Sequence, residues 1–220
     1  GRILPVFILD TSKDALRGAA SNWWLHHSLH ALNESLQGKL WVFRGDPAEI
    51  ILRLAQETAA ADIHWNRCYE PWQMDRDSRI KERLSESGIT ATSHNGSLLW
   101  EPWENLKKDG TPYKVFTPFY KHAMATHFPR IPQPTPRADF EVASCQQGPS
   151  RIDDLHLLPE INWYEEIASS WSPGEKGALR RLQEFIEGGL GDINRWQRAP
   201  RVARVNTRLF DVLHDPGDHN

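Results

Sequence analysis

The chain has 220 residues, 26 Lys plus Arg against 29 Asp plus Glu, a formal net charge of −3 and 39% hydrophobic residues. That length fits one large domain or one and a half, and the apolar content excludes wholesale disorder. The near-neutral charge excludes a global pull toward nucleic acid, so any contact with a polyanion has to be local.

Residues 3–9, I-L-P-V-F-I-L, are a short apolar run ending at Asp10. The run predicts a strand buried on both faces, with Pro5 as a break in its ladder. T-S-K-D-A-L-R-G follows as loop. From Ala19 to Leu36, apolar residues at 25, 29, 32 and 36 make a helix stripe, and Gly38 suits its C-terminal cap. Residues 39–43 are a second strand. Asp46, Pro47 and Glu49 then form a helix start of N-cap, first turn and third position, ahead of Ile50, Ile51, Leu54 and Ala55. Residues 61–66 are a third strand, Asp75 to Ser87 a charged helix stopped by Gly88, and residues 89–93 a fourth strand. This alternation predicts an α/β fold, a Rossmann-like open parallel sheet with right-handed crossovers. Ligands of such sheets sit beyond the carboxyl ends of the strands, here Asp10 to Ser12, Arg44 to Asp46, Asn66 to Pro71 and His94 to Ser97.

From Phe128 to Pro159 the composition shifts, with prolines at 129, 132, 134 and 136, and reads as a linker. Beyond it Ser172 and Pro173 open a helix with the stripe Leu179, Leu182, Phe185 and Ile186, stopped by Gly188 and Gly189. The tail 211–220 reads as frayed. No run reaches the roughly 18 apolar residues of a membrane span, and the opening residues carry no signal-peptide pattern. Cys68 and Cys145 are too few for a disulfide scaffold or a four-thiolate zinc site, and suit reduced thiols in the cytoplasm.

Few residues demand chemistry by themselves. His26 and His30 are four apart, but position 27 is His where H-E-x-x-H needs Glu, so they read as a solvated or partly packed helix face. No Walker A lysine, G-x-S-x-G elbow or carboxylate pair stands out. The 10 tryptophans are more informative. Trp65, Trp72, Trp100 and Trp103 lie near the carboxyl ends of the third and fourth strands. There they either line a pocket for a flat conjugated ligand or pack against the linker or a second domain.

Several stretches together resemble the DNA photolyase and cryptochrome family, in the same order. They are V-F-I-L-D (6–10), N-W-W-L-H-H-S-L (22–29), G-D-P (45–47), W-N-R-C-Y-E-P (65–71), N-G-S-L-L-W-E-P (95–102), Y-K-V-F-T-P-F (113–119) and G-A-L-R-R-L-Q-E-F (177–185). The chain looks most like the microbial class I cyclobutane-dimer enzymes. The resemblance implies an α/β antenna domain over 1–127, an interdomain linker over 128–159, the start of a helical FAD-binding domain over 160–210, and a tail over 211–220. It implies FAD and an antenna pigment, folate or deazaflavin, as cofactors. It also implies light-driven repair of pyrimidine dimers in damaged DNA, with the dimer flipped from the duplex as photolyases and other base-processing enzymes do.

The same resemblance sets out departures. The family's first strand, W-F-R-x-D-L-R, lies centrally in the order 3-2-1-4-5 and is not found here, which leaves two flanking strands with unpaired edges. The family's phosphate loop T-S-R-L-S is echoed only by Asn206, Thr207, Arg208 and Leu209, and Ile193 stands where a tyrosine is usual. Trp72 and Gln73 take the place of the Asn-Glu pair of folate-binding members. Candidate antenna residues are therefore Asp10, Glu70, Trp72 and Arg76, with Thr207 and Arg208 as a remnant FAD-phosphate site. The expectation is a truncated or divergent photolyase, monomeric, inactive alone and without tight DNA binding. The alternatives are a stand-alone pigment- or nucleotide-binding module of cryptochrome-like light sensing, or a gene remnant.

Overall fold

A computed structural model describes residues 2–12, 15, 17–127, 139–143, 148 and 150–189. Among them two compact units form, one from residues up to 17 together with 35–156, the other from 18–34 together with 157–189.

The first unit is the α/β unit. Its elements are β1 (Arg2–Ile3), β2 (Val6–Asp10), β3 (Trp41–Gly45), α2 (Pro47–Thr58), β4 (Asp62–Asn66), α3 (Pro71–Glu86), β5 (Thr90–His94), α4 (Phe116–Thr126) and β6 (Glu141–Val142), with α1 (Ala19–Ser35) contributed mainly to the other unit. The predicted first strand is divided at Leu4 and Pro5, and the Pro5 carbonyl accepts from Trp41 N–H at 2.9 Å. That bond helps set the β2–β3 register, from Val6 beside Trp41 to Asp10 beside Gly45, so β3 begins two residues later than the apolar run suggests.

The helix starts and stops follow local chemistry. Asp46 accepts from Ala48 N at 2.7 Å and Glu49 N at 3.3 Å, which satisfies orphan donors at the head of α2. Gly88 adopts φ +72° after α3, a conformation that suits a residue without Cβ. The helix α3 starts at Pro71, four residues before the predicted Asp75, because proline is favoured in the first turn. The core of this unit gathers Phe43, Ile50 and Leu54, with Leu4, Ile8 and Trp41 packed around them.

All strand pairs within the named ladders are parallel, as the alternation predicts. They form three two-stranded ladders, β1–β6, β2–β3 and β4–β5, in place of one continuous sheet. Among the described residues no backbone hydrogen bond joins β2 to β4. Between them runs a groove of about 450 Å³ whose walls include Val6, Ile8, Leu54, Ile63, Trp65 and Ile80. The groove explains why β2 is only partly buried, with Val6 at 36% exposure, where the apolar run predicts burial on both faces.

In the second unit α1 buries Trp23, His26 and Leu29. The expected stripe at 25, 29, 32 and 36 is thus rotated, and Leu32 is exposed. Trp23 packs at 6.0 Å from Tyr164 and marks the buried face, while Trp24 meets Trp171 edge-on at 6.0 Å on the exposed side. Gly174 precedes α6 (Glu175–Glu184), which starts after it and not at Ser172. A Cβ on Gly174 would stand 2.7 Å from the Ala31 Cβ, so glycine permits this close approach. The short α5 (Glu165–Ser170) lies between these contacts. The predicted stripe Leu179, Leu182 and Ile186 is exposed.

The open ladder edges carry a measurable consequence. Alternate amides of Val6–Asp10 and Asp62–Asn66 face the groove. They should exchange with deuterium at least about tenfold faster than the amides paired to β3 and β5, as expected for unpaired edges. Uniform protection along both strands, read by NMR, would contradict the separate ladders.

Candidate functional site

The carboxyl ends of β2 and β3, the head of α2 and one face of α3 enclose a pocket of about 300 Å³. Its wall includes Asp10, Ser12, Asp46, Trp72, Arg76 and Arg79. The size is at the lower end for clefts that take organic ligands.

Each side chain arrives by a local rule. Asp10 is the last residue of β2, and one of its oxygens accepts from Ser12 N–H at 2.9 Å, which fixes the carboxylate at the strand end. Its other oxygen meets Arg76 Nη1 at 3.4 Å. Burial pushes the Asp10 carboxyl up, and the hydrogen bonds from Ser12 and Arg76 outweigh it, leaving the group below its ordinary 3.8. Arg76 also binds Asp77 Oδ1 through Nε at 3.0 Å and Nη2 at 2.7 Å. Trp65 Nε1 donates to the second Asp77 oxygen at 3.1 Å. A continuous polar chain therefore runs from β2 through α3 to β4.

Trp72 lies one turn before Arg76, whose guanidinium sits 5.4 Å from the Trp72 ring centroid, within cation–π range. Its indole N–H donates to Glu70 Oε2 at 2.8 Å. Of the four antenna candidates, the structure brings Asp10, Trp72 and Arg76 into the pocket, with Glu70 behind Trp72 as its hydrogen-bond partner. Thr207 and Arg208, with Ile193, lie outside the described residues.

The other tryptophans diverge. Trp65 packs under Lys81 and lines the groove. Trp100 donates to the His127 carbonyl at 3.2 Å and meets Phe119 edge-on. Trp103 is exposed beneath Arg67. The four therefore do not converge on one ligand surface.

Ser12 and Asp46, from the strand ends where the sequence places a ligand, line the pocket, and so do Asp75, Arg79 and Arg83, which the sequence reading did not name as site residues. The signal lay in helix periodicity: Trp72, Arg76, Arg79 and Arg83 are spaced by four, three and four, one face of α3. Arg83 is tied to Glu49 of α2 at 2.7 Å.

Three of the shared motifs act as braces. Glu101, 2% exposed, accepts from Tyr69 Oη at 2.8 Å and pairs with Arg67, which also donates to the Ser93 carbonyl at 2.9 Å. Burial and the bond to Glu101 raise the Tyr69 phenol above its ordinary 10, so it stays a donor. These contacts join W-N-R-C-Y-E-P to N-G-S-L-L-W-E-P. In Y-K-V-F-T-P-F, the Phe119 carbonyl accepts from buried Asn105 at 3.1 Å.

Comparison with known proteins agrees with this architecture. The family model described as DNA photolyase matches residues 1–137. A deoxyribodipyrimidine photo-lyase of Agrobacterium fabrum is 37% identical over 194 residues, which cover 86% of this chain and 40% of that protein. Cryptochrome-2 of Arabidopsis thaliana is 30% identical over 225 residues, covering 97% of this chain and 36% of its own length. The crystal structure of a bacterial class III photolyase from Agrobacterium tumefaciens superposes with a TM-score of 0.81 at 35% identity, over 89% of this chain and 41% of that one. That photolyase is of class III, whereas the motifs resemble the class I group. A Synechocystis cryptochrome, with TM-score 0.73 and 23% identity, shares the fold. The chain spans about two fifths of the length of the curated relatives it matches. No helix among the described residues is long and apolar enough to cross a membrane. The chain belongs to the DNA photolyase family, of which it carries the N-terminal α/β region.

Proposed function

We propose that residues 1–127 are the light-harvesting domain of a photolyase-type flavoprotein, joined by 128–159 to the start of a helical FAD-binding domain at 160–210. The whole protein's reaction on this reading is light-driven reversal of cyclobutane pyrimidine dimers in DNA. The observation that carries it is the pocket at the carboxyl ends of β2 and β3, in a chain whose relatives are named photo-lyases.

The pocket suits a flat conjugated ring. Trp72 offers an aromatic face, and Asp10 and Arg76 offer an acceptor and a donor for polar ring edges. Such a pigment, when bound, would absorb near-ultraviolet or blue light and pass its excitation to the flavin. A folate suits the site less well. Trp72 and Gln73 replace the Asn-Glu pair, and Glu70 already accepts from Trp72. A deazaflavin or similar tricyclic ring is the better match. A second reading, a light sensor without repair activity, is favoured by the similarity to Cryptochrome-2 over 97% of this chain.

A deazaflavin titrated into the purified chain should quench tryptophan fluorescence, and Trp72→Ala should weaken binding about tenfold or more, as loss of a stacking face does. Equal affinity in the variant would remove Trp72 from the site. In a repair assay, the 220-residue chain with reduced FAD, blue light and dimer-containing DNA should leave the dimers intact. Turnover would overturn the division of labour proposed for 1–127.

The depressed Asp10 carboxyl makes a pH prediction. Its contribution to stability is present above the unfolded value of about 3.8 and lost as pH falls through the lower folded value. Thermal midpoints measured from pH 6 down to pH 2 should therefore fall more steeply in the parent chain than in Asp10→Asn. Parallel curves would show that the Ser12 and Arg76 bonds do not hold the carboxylate.

A further inference from the structure

Three arginines stand on the wall of the pocket at the ends of β2 and β3, and they are not equivalent. We propose, resting on the pigment reading above, that Arg79 is a specificity-determining residue of that pocket. It selects a ring that carries an anionic tail, carboxylate or phosphate, over the same ring without one.

The pairings single it out. Arg76 is held by Asp10 and Asp77, and Arg83 by Glu49. Arg79 pairs with no carboxylate among the described residues, and its Nε donates to the Asp75 carbonyl at 3.3 Å. That bond engages Nε, and the two Nη groups make the planar fork that takes a carboxylate or a phosphate through parallel N–H bonds.

Helix geometry sets where the tail lies. Trp72 and Arg79 are seven residues apart on α3, so they stand within about 20° of each other around the helix and about 10 Å apart along its axis. Helical side chains lean toward the N-terminus, and the bond to the Asp75 carbonyl, one turn back, bends the Arg79 guanidinium the same way. A ring on the Trp72 face, with its polar edge at Arg76 and Asp10, therefore has Arg79 beyond that edge, within reach of a side chain of a few bonds. Asp46 and Asp75 on the same wall keep the pocket as a whole from attracting anions. Selectivity then comes from direct contact with the one guanidinium that lacks a carboxylate. Arg79 is exposed, so the contact is partly solvated and modest in strength.

Three isoalloxazines that share one ring test this in the full chain: riboflavin, flavin mononucleotide and carboxymethylflavin, each titrated by tryptophan quenching at low salt. At least one of the two charged flavins should bind about fivefold or more tighter than riboflavin, as one charge-assisted contact at a solvated wall allows. The tighter of the two identifies the tail as phosphate or carboxylate. Arg79→Gln should remove that preference and leave riboflavin affinity unchanged, Arg79→Lys should restore part of it, and about 0.5 M salt should shrink it. Trp72→Ala should weaken all three flavins alike. Riboflavin binding that Trp72→Ala weakens, with no gain for either charged flavin or with a gain that survives Arg79→Gln, would overturn the role of Arg79 and leave the pigment reading standing. Binding of none of the three would overturn both.

Discussion

Two parallel ladders that share no backbone hydrogen bond among the described residues have to be held together by side chains. The chain from Asp10 through Arg76 and Asp77 to Trp65 does this at their carboxyl ends. It reaches from the last residue of β2 to a strand residue of β4, with α3 as its middle. The Arg83–Glu49 pair and the side-by-side packing of α2 and α3 support the same junction. A partly buried, charge-assisted network of this kind is worth more than an exposed ion pair, and loses more when one partner is left alone. The pocket is built on this network. Its floor is therefore as rigid as the join between the ladders, which is what a site that must fix a ring requires.

Much of the fold was legible because short-range rules decided it. Asp46, Pro47 and Glu49 start α2 as capping chemistry dictates, and Gly88 ends α3 with a positive φ. The errors fall where a distant contact outweighed a local pattern. The register of β3 follows in part from a bond to the Pro5 carbonyl, which no window around Trp41 contains. The buried face of α1 is chosen by Trp23 meeting Tyr164, across more than a hundred residues of sequence. The number of ladders is a still less local property, since it depends on what lies between β2 and β4.

The site was legible in half. Strand ends in a parallel α/β arrangement point to Asp10 directly, and proximity to the third strand points to Trp72, whereas Arg76 is a candidate only through the family resemblance. Arg79 and Arg83 were missed because α3 was read as a charged helix, not as a helix with one face turned to a pocket. Composition alone could not separate Trp72 from Trp65, Trp100 and Trp103. What separates them is the hydrogen-bond partner of each indole: Glu70 for Trp72, but Asp77 and the His127 carbonyl for Trp65 and Trp100.

The electrostatics of the pocket also narrow its ligand. Arg76 is compensated by Asp10 and Asp77, and Arg83 by Glu49, so neither presents an uncompensated charge to a phosphate. Asp46 and Asp75 add negative charge to the same wall, and the Asp46 carboxylate occupies the head of α2, where an anion would otherwise bind. A polyanion entering here would meet Arg79, whose side chain donates to the Asp75 carbonyl and pairs with no carboxylate among the described residues, and beyond it would have to break an existing pair or displace a cap. A neutral conjugated ring would need neither, since Trp72 offers it an aromatic face and the polar side chains around it offer hydrogen bonds to its edge. On the reading proposed above, the arrangement that joins the two ladders suits an aromatic ligand, and Arg79 alone of the three wall arginines is left to meet a charged group on it.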